Sequence, residues 1–187
     1  MDIHNSRELQ KLIEKCRKND RKAQQQLFQA TYSYAMSVCL RFSGGREEAG
    51  EILNDGYLKV FTQLDKYNPE LSFGGWLRRI MVNTAIDHYR KNQRHAGNYD
   101  LEVAAGVTGY EDFMAELDAE DLLRLVQNLP NAYRMAFTLY AIEGYSHPEI
   151  AKKLGISEGT SKSNLARARA KLQQQIKELH ETPFSGL

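Results

Sequence analysis

The sequence predicts an all-α protein built as two small helical domains joined by an acidic linker. Three observations carry that reading. Apolar residues recur at steps of three and four along almost every segment, and no stretch alternates as a strand would. The charge is divided in three: residues 1–95 hold 16 Lys/Arg against 11 Asp/Glu, residues 96–123 hold none against 8, and residues 124–187 hold 9 against 5. Between the two periodic regions lies a stretch, 96–108, of glycines, small residues and acids that reads as a connection. The predicted division is therefore 10–95, 96–116 and 117–180. A length of 187 residues suits two small domains, and 42% apolar content is enough to pack both. Basic regions fit a polyanionic partner, which the acidic segment between them must either avoid or imitate.

In order along the chain, Asp20 caps a helix that carries Ala23, Leu27, Ala30, Tyr34, Val38 and Phe42, and Gly44-Gly45 ends it. A second helix begins near Glu47 with Ile52, Leu53, Leu58, Val60, Phe61 and Leu64, until Asn68-Pro69 breaks it. Ser72-Phe73-Gly74-Gly75 reads as a tight loop before a third helix from Trp76 to about Lys91. Helices resume near Tyr110. Three more follow: one opened by Pro130, one near 147–154 and one over 158–179.

Two of these elements carry chemistry. Ser146-His147-Pro148-Glu149 is a capping box with proline in the first turn. Ile150, Ala151 and Leu154 give the helix an apolar face. Gly155 permits a left-handed turn, and Ser157 caps the next helix. This is a helix-turn-helix pattern. At about 100° per residue, Leu165, Ala168, Leu172, Ile176 and Leu179 of the second helix form one stripe. Thr160, Ser163, Arg167 and Gln174 lie opposite, with Ala166, Ala170 and Lys171 beside them. That outward face suits a major groove, and no acid between Gly159 and Ile176 repels phosphate. Arg169 falls toward the apolar stripe, as a structural partner for Glu149 or Glu143. A plain basic solvated helix is the alternative.

The helix from Trp76 is apolar over much of its circumference, with Leu77, Met81, Ala85 and Tyr89 on one side and Val82 and Ile86 on another. Yet Trp76, Asn83, Asp87, Arg90 and Arg94 fall within about 40° of one line, with Arg79 beside it. An aromatic face, an amide and guanidiniums can stack on bases, read base edges and hold phosphates. The competing reading is a solvated face with an Asp87–Arg90 pair.

The run Phe73-Gly74-Gly75-Trp76-Leu77-Arg78-Arg79-Ile80-Met81-Val82-Asn83-Thr84-Ala85-Ile86-Asp87-His88-Tyr89-Arg90-Lys91 resembles the sigma2 pattern F-x-x-W-L-x-x-I-x-x-N-x-x-x-D-x-x-R-K of extracytoplasmic-function sigma factors. The run Ser157-Glu158-Gly159-Thr160-Ser161-Lys162-Ser163-Asn164-Leu165-Ala166-Arg167-Ala168-Arg169-Ala170-Lys171-Leu172 resembles their sigma4 signature, and the resemblance covers about residues 10–180. It implies a protein that binds core RNA polymerase and directs promoter recognition, DNA opening and transcription initiation. Glu51, Asn54, Asp55, Tyr57 and Leu58 match the motif that grips the clamp helices of the polymerase largest subunit. Tyr67, Asn68 and Phe73, in the loop that captures a flipped base, together with Trp76, Arg79, Asn83, Asp87, Arg90 and Arg94, match the −10 site. Thr160, Lys162, Ser163, Ala166, Arg167 and Lys171 match the −35 contacts, and the acidic segment matches one in the RNA exit path. The family also implies contact with the flap of the second largest subunit and control by an anti-sigma factor. Departures are Ser161 for an apolar residue, Asn164 for an arginine, an Ala166 with no polar readout, and Asn54-Asp55 for Gln-Glu.

Other functions fit less well. A regulator pairing a helix-turn-helix with a sensory helical domain leaves the clamp-like motif unexplained. Of the usual enzyme signatures, HExxH and a phosphate loop are absent, and neither cysteine has an activating environment in the sequence. No metal or cofactor is implied. Cys16 and Cys39 lack CxxC spacing and read as reduced structural thiols. The absence of an apolar run of about 18 residues or of a leader's apolar stretch points to a cytoplasmic chain with no membrane insertion.

Overall fold

The computed structural model describes residues 7–96 and 118–181, all of them in helices and connecting turns. The chain divides into two compact units, Met1–His88 and Tyr89–Leu187. The linker beyond residue 96 and the expected restart near Tyr110 lie outside the described residues.

In the first unit, α1 (Arg7–Arg17) buries Leu9, Leu12, Ile13 and Cys16, a single apolar stripe. Asn19, with φ of 58°, turns the chain, and Asp20 then caps α2 (Arg21–Leu40) by accepting the N–H groups of Lys22 and Ala23 at 2.9 and 3.1 Å. The α2 helix stops sooner than its apolar spacing predicts, but Phe42 still enters the core from the following turn. The next helix, α3 (Arg46–Thr62), is also shorter than expected, and Leu64 is buried from a 3₁₀ turn, Leu64–Lys66. The next helix, α4 (Phe73–Ala96), whose residues from Tyr89 on belong to the second unit, starts before Trp76: Ser72 accepts the N–H of Trp76 through its carbonyl and that of Gly75 through its hydroxyl, at 3.1 and 3.3 Å. Gly74-Gly75 is thus the first helical turn and not a loop. Met81 on α4 lies so close to Gly56 on α3 that a Cβ there would strike its thioether, so the two helices meet closely at this point.

Cys16 and Cys39 sit in this core, and burial pushes their thiols up to about 11 and about 12. Little reactive thiolate exists near neutral pH.

The second unit holds α5 (Ala119–Gln127), α6 (Asn131–Phe137), α7 (His147–Leu154) and α8 (Glu158–Glu181). Pro130 is the residue before α6, not inside it, and α6 runs on as a π-helical turn, Thr138–Ile142. Leu125, Val126, Leu129, Phe137, Leu165, Ala168, Leu172 and Ile176 form one core. Leu179, expected on that stripe, is 53% exposed. The reason is length: α5 and α6 have 9 and 7 residues and cannot cover the end of the 24-residue α8. Arg134 is buried for a different purpose. Its guanidinium donates to the carbonyls of Gln127 and Leu129 at 2.7 and 3.0 Å, satisfying the C-terminus of α5. Among the described residues, no helix is long and apolar enough to cross a membrane.

Candidate nucleic-acid interface

The helix-turn-helix forms as its punctuation predicts. The Ser146–Glu149 capping box closes at 2.8 Å from the Ser146 N–H to the Glu149 carboxylate, and Gly155 takes φ of 71°. Ser157 caps α8 by accepting the N–H of Thr160 at 3.0 Å. The outward face of α8 presents Thr160, Lys162 and Lys171 to solvent, with Ser163, Ala166 and Arg167 partly covered. Lys162 is ion-paired with Glu158 at 2.8 Å, which holds the Glu158 carboxyl below its usual range. Only part of this basic face is therefore uncompensated.

The unusual Ser161 has a defined role. It is fully buried, and its hydroxyl shares a 3.0 Å hydrogen bond with Nδ1 of His147, joining α8 to α7. The other side of the His147 ring stacks on Tyr140 from the π turn, with centroids 4.7 Å apart. Arg169 lies over the same tyrosine, its guanidinium carbon 5.8 Å from the ring centroid, while Glu149 is engaged by its own cap. A polar seam thus replaces an apolar contact. Burial lowers the pKa of His147 below its ordinary value, with the Lys162 ammonium adding to the effect. A base with a depressed folded pKa adds stability that is present above its unfolded pKa of about 6.5 and lost as pH falls through the folded value. Urea melts of the wild-type chain are expected to shift to lower midpoint below about pH 6.5. Ser161→Ala, which leaves a His147 ring nitrogen without its partner, should cost about 1 kcal/mol at pH 7. An unchanged melt would mean that the seam contributes nothing.

In the first unit, α3 carries Glu51, Asn54, Asp55 and Leu58 at i, i+3, i+4 and i+7, all exposed and on one face. Leu58 is 67% exposed, a large apolar side chain left in water rather than in the core where periodicity put it. Tyr57 departs from the expectation. It is 4% exposed, packs on Phe28 with centroids 4.6 Å apart, and shares a 2.8 Å hydrogen bond with Thr31. It is a core residue and offers no surface to a partner, and burial raises its phenol to about 12.

The segment before α4 is braced from beneath. Tyr67 and Phe73 are buried, 3% and 0% exposed, so they support this segment and do not reach into solvent. Their rings stand edge to face at 5.3 Å, and Trp76 packs on them at 5.4 and 5.6 Å. The Tyr67 hydroxyl donates to the Leu71 carbonyl at 2.7 Å, and Arg17 donates to the Tyr67 carbonyl at 2.8 Å. Asn68 is exposed and turns the chain by accepting the Glu70 N–H at 2.9 Å. Leu71, which was not singled out from sequence, is 61% exposed at the tip; its signal was an apolar residue in an otherwise polar turn.

On α4, Leu77, Met81, Val82, Ala85, Ile86 and Tyr89 are buried, which turns Trp76, Arg79, Asn83 and Asp87 outward to different degrees. Arg79 and Asp87 are exposed, Trp76 and Asn83 partly covered. Arg90, further along the helix, is partly covered, and the side chain of Arg94 lies outside the described residues. Asp87 bonds not Arg90 but Lys59 of α3, at 2.8 Å. The neighbouring His88 lies 3.3 Å from Glu51 and 3.6 Å from Glu48.

Comparison with known proteins agrees with both halves. Residues 27–95 match the family model for sigma-70 region 2, and residues 119–172 match that for sigma-70 region 4. The ECF RNA polymerase sigma factor SigW of Bacillus subtilis is 28% identical over 184 residues, covering 91% of this chain and 98% of SigW. The ECF RNA polymerase sigma factor SigM of Mycobacterium tuberculosis is 31% identical over 158 residues, covering 84% of this chain and 79% of SigM. Among solved structures, the sigma factor RpoE from Bartonella quintana, crystallised with the anti-sigma factor NepR, aligns with 82% of this chain and 96% of its own at 24% identity and a TM-score of 0.48. With two region models in order and relatives matched along most of their length, the chain belongs to the extracytoplasmic-function (ECF) RNA polymerase sigma factors of the sigma-70 family.

Proposed function

We propose that the three exposed faces divide the work of initiation among them. The chain acts in promoter recognition and transcription initiation with RNA polymerase. Within that activity, Thr160, Lys162, Ser163, Ala166, Arg167 and Lys171 on α8 meet the −35 duplex. Asn68, Trp76, Arg79, Asn83, Arg90 and Arg94 meet the opened −10 strand, with Asp87 on the same face. Glu51, Asn54, Asp55 and Leu58 grip the clamp helices of the largest polymerase subunit. The domains are 10–95 and 117–180, and 96–116 follows the RNA exit path, where its acids take the place of RNA phosphates. The second domain rests on the flap of the second largest subunit. The chain does no catalysis itself, works in the cytoplasm, and answers to an anti-sigma factor.

The observation that carries this reading is the sorting of α8. Leu165, Ala168, Leu172 and Ile176 are buried, and the polar and basic residues of the motif are left on the outside. Run-off transcription with core polymerase on a genomic promoter library tests it. Transcripts that start at a common promoter pattern are expected; none above core polymerase alone would overturn it.

The free protein should bind duplex promoter DNA only weakly at ~150 mM salt, because few phosphate contacts are available to each domain. Lys162 is already paired with Glu158. Gel-shift titration of the isolated chain checks this, and nanomolar specific binding would contradict it.

A further inference from the structure

Lys59 belongs to none of the surfaces assigned above. It follows Leu58 on α3, one helical turn beyond Asp55, yet its ammonium crosses to α4 and meets the Asp87 carboxylate at 2.8 Å. The two side chains are 36% and 60% exposed, so the pair lies at the surface. Asp87 is the one acid in α4, and it stands one turn after Asn83 on the same line. A bare carboxylate there would repel the phosphates of any strand that reached Asn83. The next residue, His88, is held from α3 as well, through Glu51 and Glu48. Contacts from α3 therefore reach α4 at Asp87 and at the residue after it.

We propose that Lys59 is a positioning residue of the single-strand site: it neutralises Asp87 and draws its carboxylate toward α3, so that the strand meets the amide of Asn83 without an opposing charge. The inference rests on the reading of α4 as the strand-binding face. Lys59 acts through Asp87 and makes no base or phosphate contact of its own. An ordinary exposed ion pair would serve only to stabilise the fold slightly.

The test uses holoenzyme assembled with Lys59→Met, Asp87→Asn, the double variant or Asn83→Ala, and a fluorescent single-stranded oligonucleotide carrying the −10 sequence. Lys59→Met is expected to weaken strand binding roughly five- to tenfold, as one unmasked charge a few ångströms from a phosphate does in watery surroundings. Retention on core polymerase should not change. Adding Asp87→Asn should restore affinity to within about twofold of wild type, since the charge that needed masking is gone. If Lys59→Met binds normally, the pair is structural only. If the double variant stays as weak as Lys59→Met, the lysine touches the strand or the polymerase itself. Either result overturns the proposal. Asn83→Ala separates the premise from the inference: normal strand binding by that variant removes α4 from the strand site altogether, whereas weak binding keeps the site and leaves Lys59 to be judged by the rescue.

Discussion

Asp55→Arg is expected to release the chain from core RNA polymerase while leaving its helices intact. Asp55 is exposed on α3, and Glu51, Asn54 and Leu58 share its face at helical spacing. Two acids and an amide around one large exposed apolar side chain make a small surface of definite character: Leu58 supplies desolvation, and the acids select a basic helix. Reversing one charge at the centre of such a contact sets like charges against each other. The expected cost is about 2–4 kcal/mol, or roughly 30- to 1,000-fold in Kd. Folding should be unaffected, because arginine is at least as good a helix former as aspartate and no core space is involved. Co-purification with core polymerase measures the first effect and circular dichroism the second. Retention at the wild-type level would remove Asp55 from the interface. Loss of helical signal would place the residue in the fold rather than on a docking face.

The contrast between Asp55 and Tyr57 shows what the sequence made legible. Both lie in the motif matched to polymerase binding, and type alone could not separate them, since an aromatic serves equally well as an anchor or as core. Helical phase does separate them: 51, 54, 55 and 58 share a face, and 57 points away from it. Tyr67 and Phe73 pose the same problem, for an exposed-looking loop can still be built on buried rings. The elements α2, α7 and α8 are legible because each combines a cap or glycine stop with an apolar period, and α4 is legible from its apolar circumference and single polar line. The α1 helix was missed despite an equally regular stripe of Leu9, Leu12, Ile13 and Cys16. The π turn and the Ser161–His147 and Lys59–Asp87 contacts were not legible, because each depends on tertiary approach. Asp87 had a plausible local partner in Arg90, and only the packing of α3 on α4 shows that Lys59 takes that place.

The two DNA faces should fail at different steps of initiation. Arg167 lies on the outward side of α8, where a guanidinium can make a bidentate contact to guanine or hold a phosphate. Arg167→Ala is therefore expected to weaken holoenzyme recruitment and to make −35 substitutions matter less. The loss should be about 1–3 kcal/mol if the contact is to a base. If the contact is to a phosphate, binding should weaken evenly across promoter sequences, with a shallower salt dependence. Asn83 sits instead on α4, partly covered, one turn before Asp87 and about two turns after Trp76. On the proposed reading this amide pairs with the edge of an unstacked base in the opened strand. Asn83→Ala should leave the closed complex nearly intact and reduce the fraction of promoters that open. Gel shift of holoenzyme on duplex promoter reports the first step, and permanganate reactivity of unpaired thymines reports the second. Arg167→Ala should lower both signals together, and saturating holoenzyme should restore both. Asn83→Ala should lower only the permanganate signal, and more holoenzyme should not restore it. If Asn83→Ala opens promoters as the wild type does, the polar line on α4 is a solvated face and nothing more.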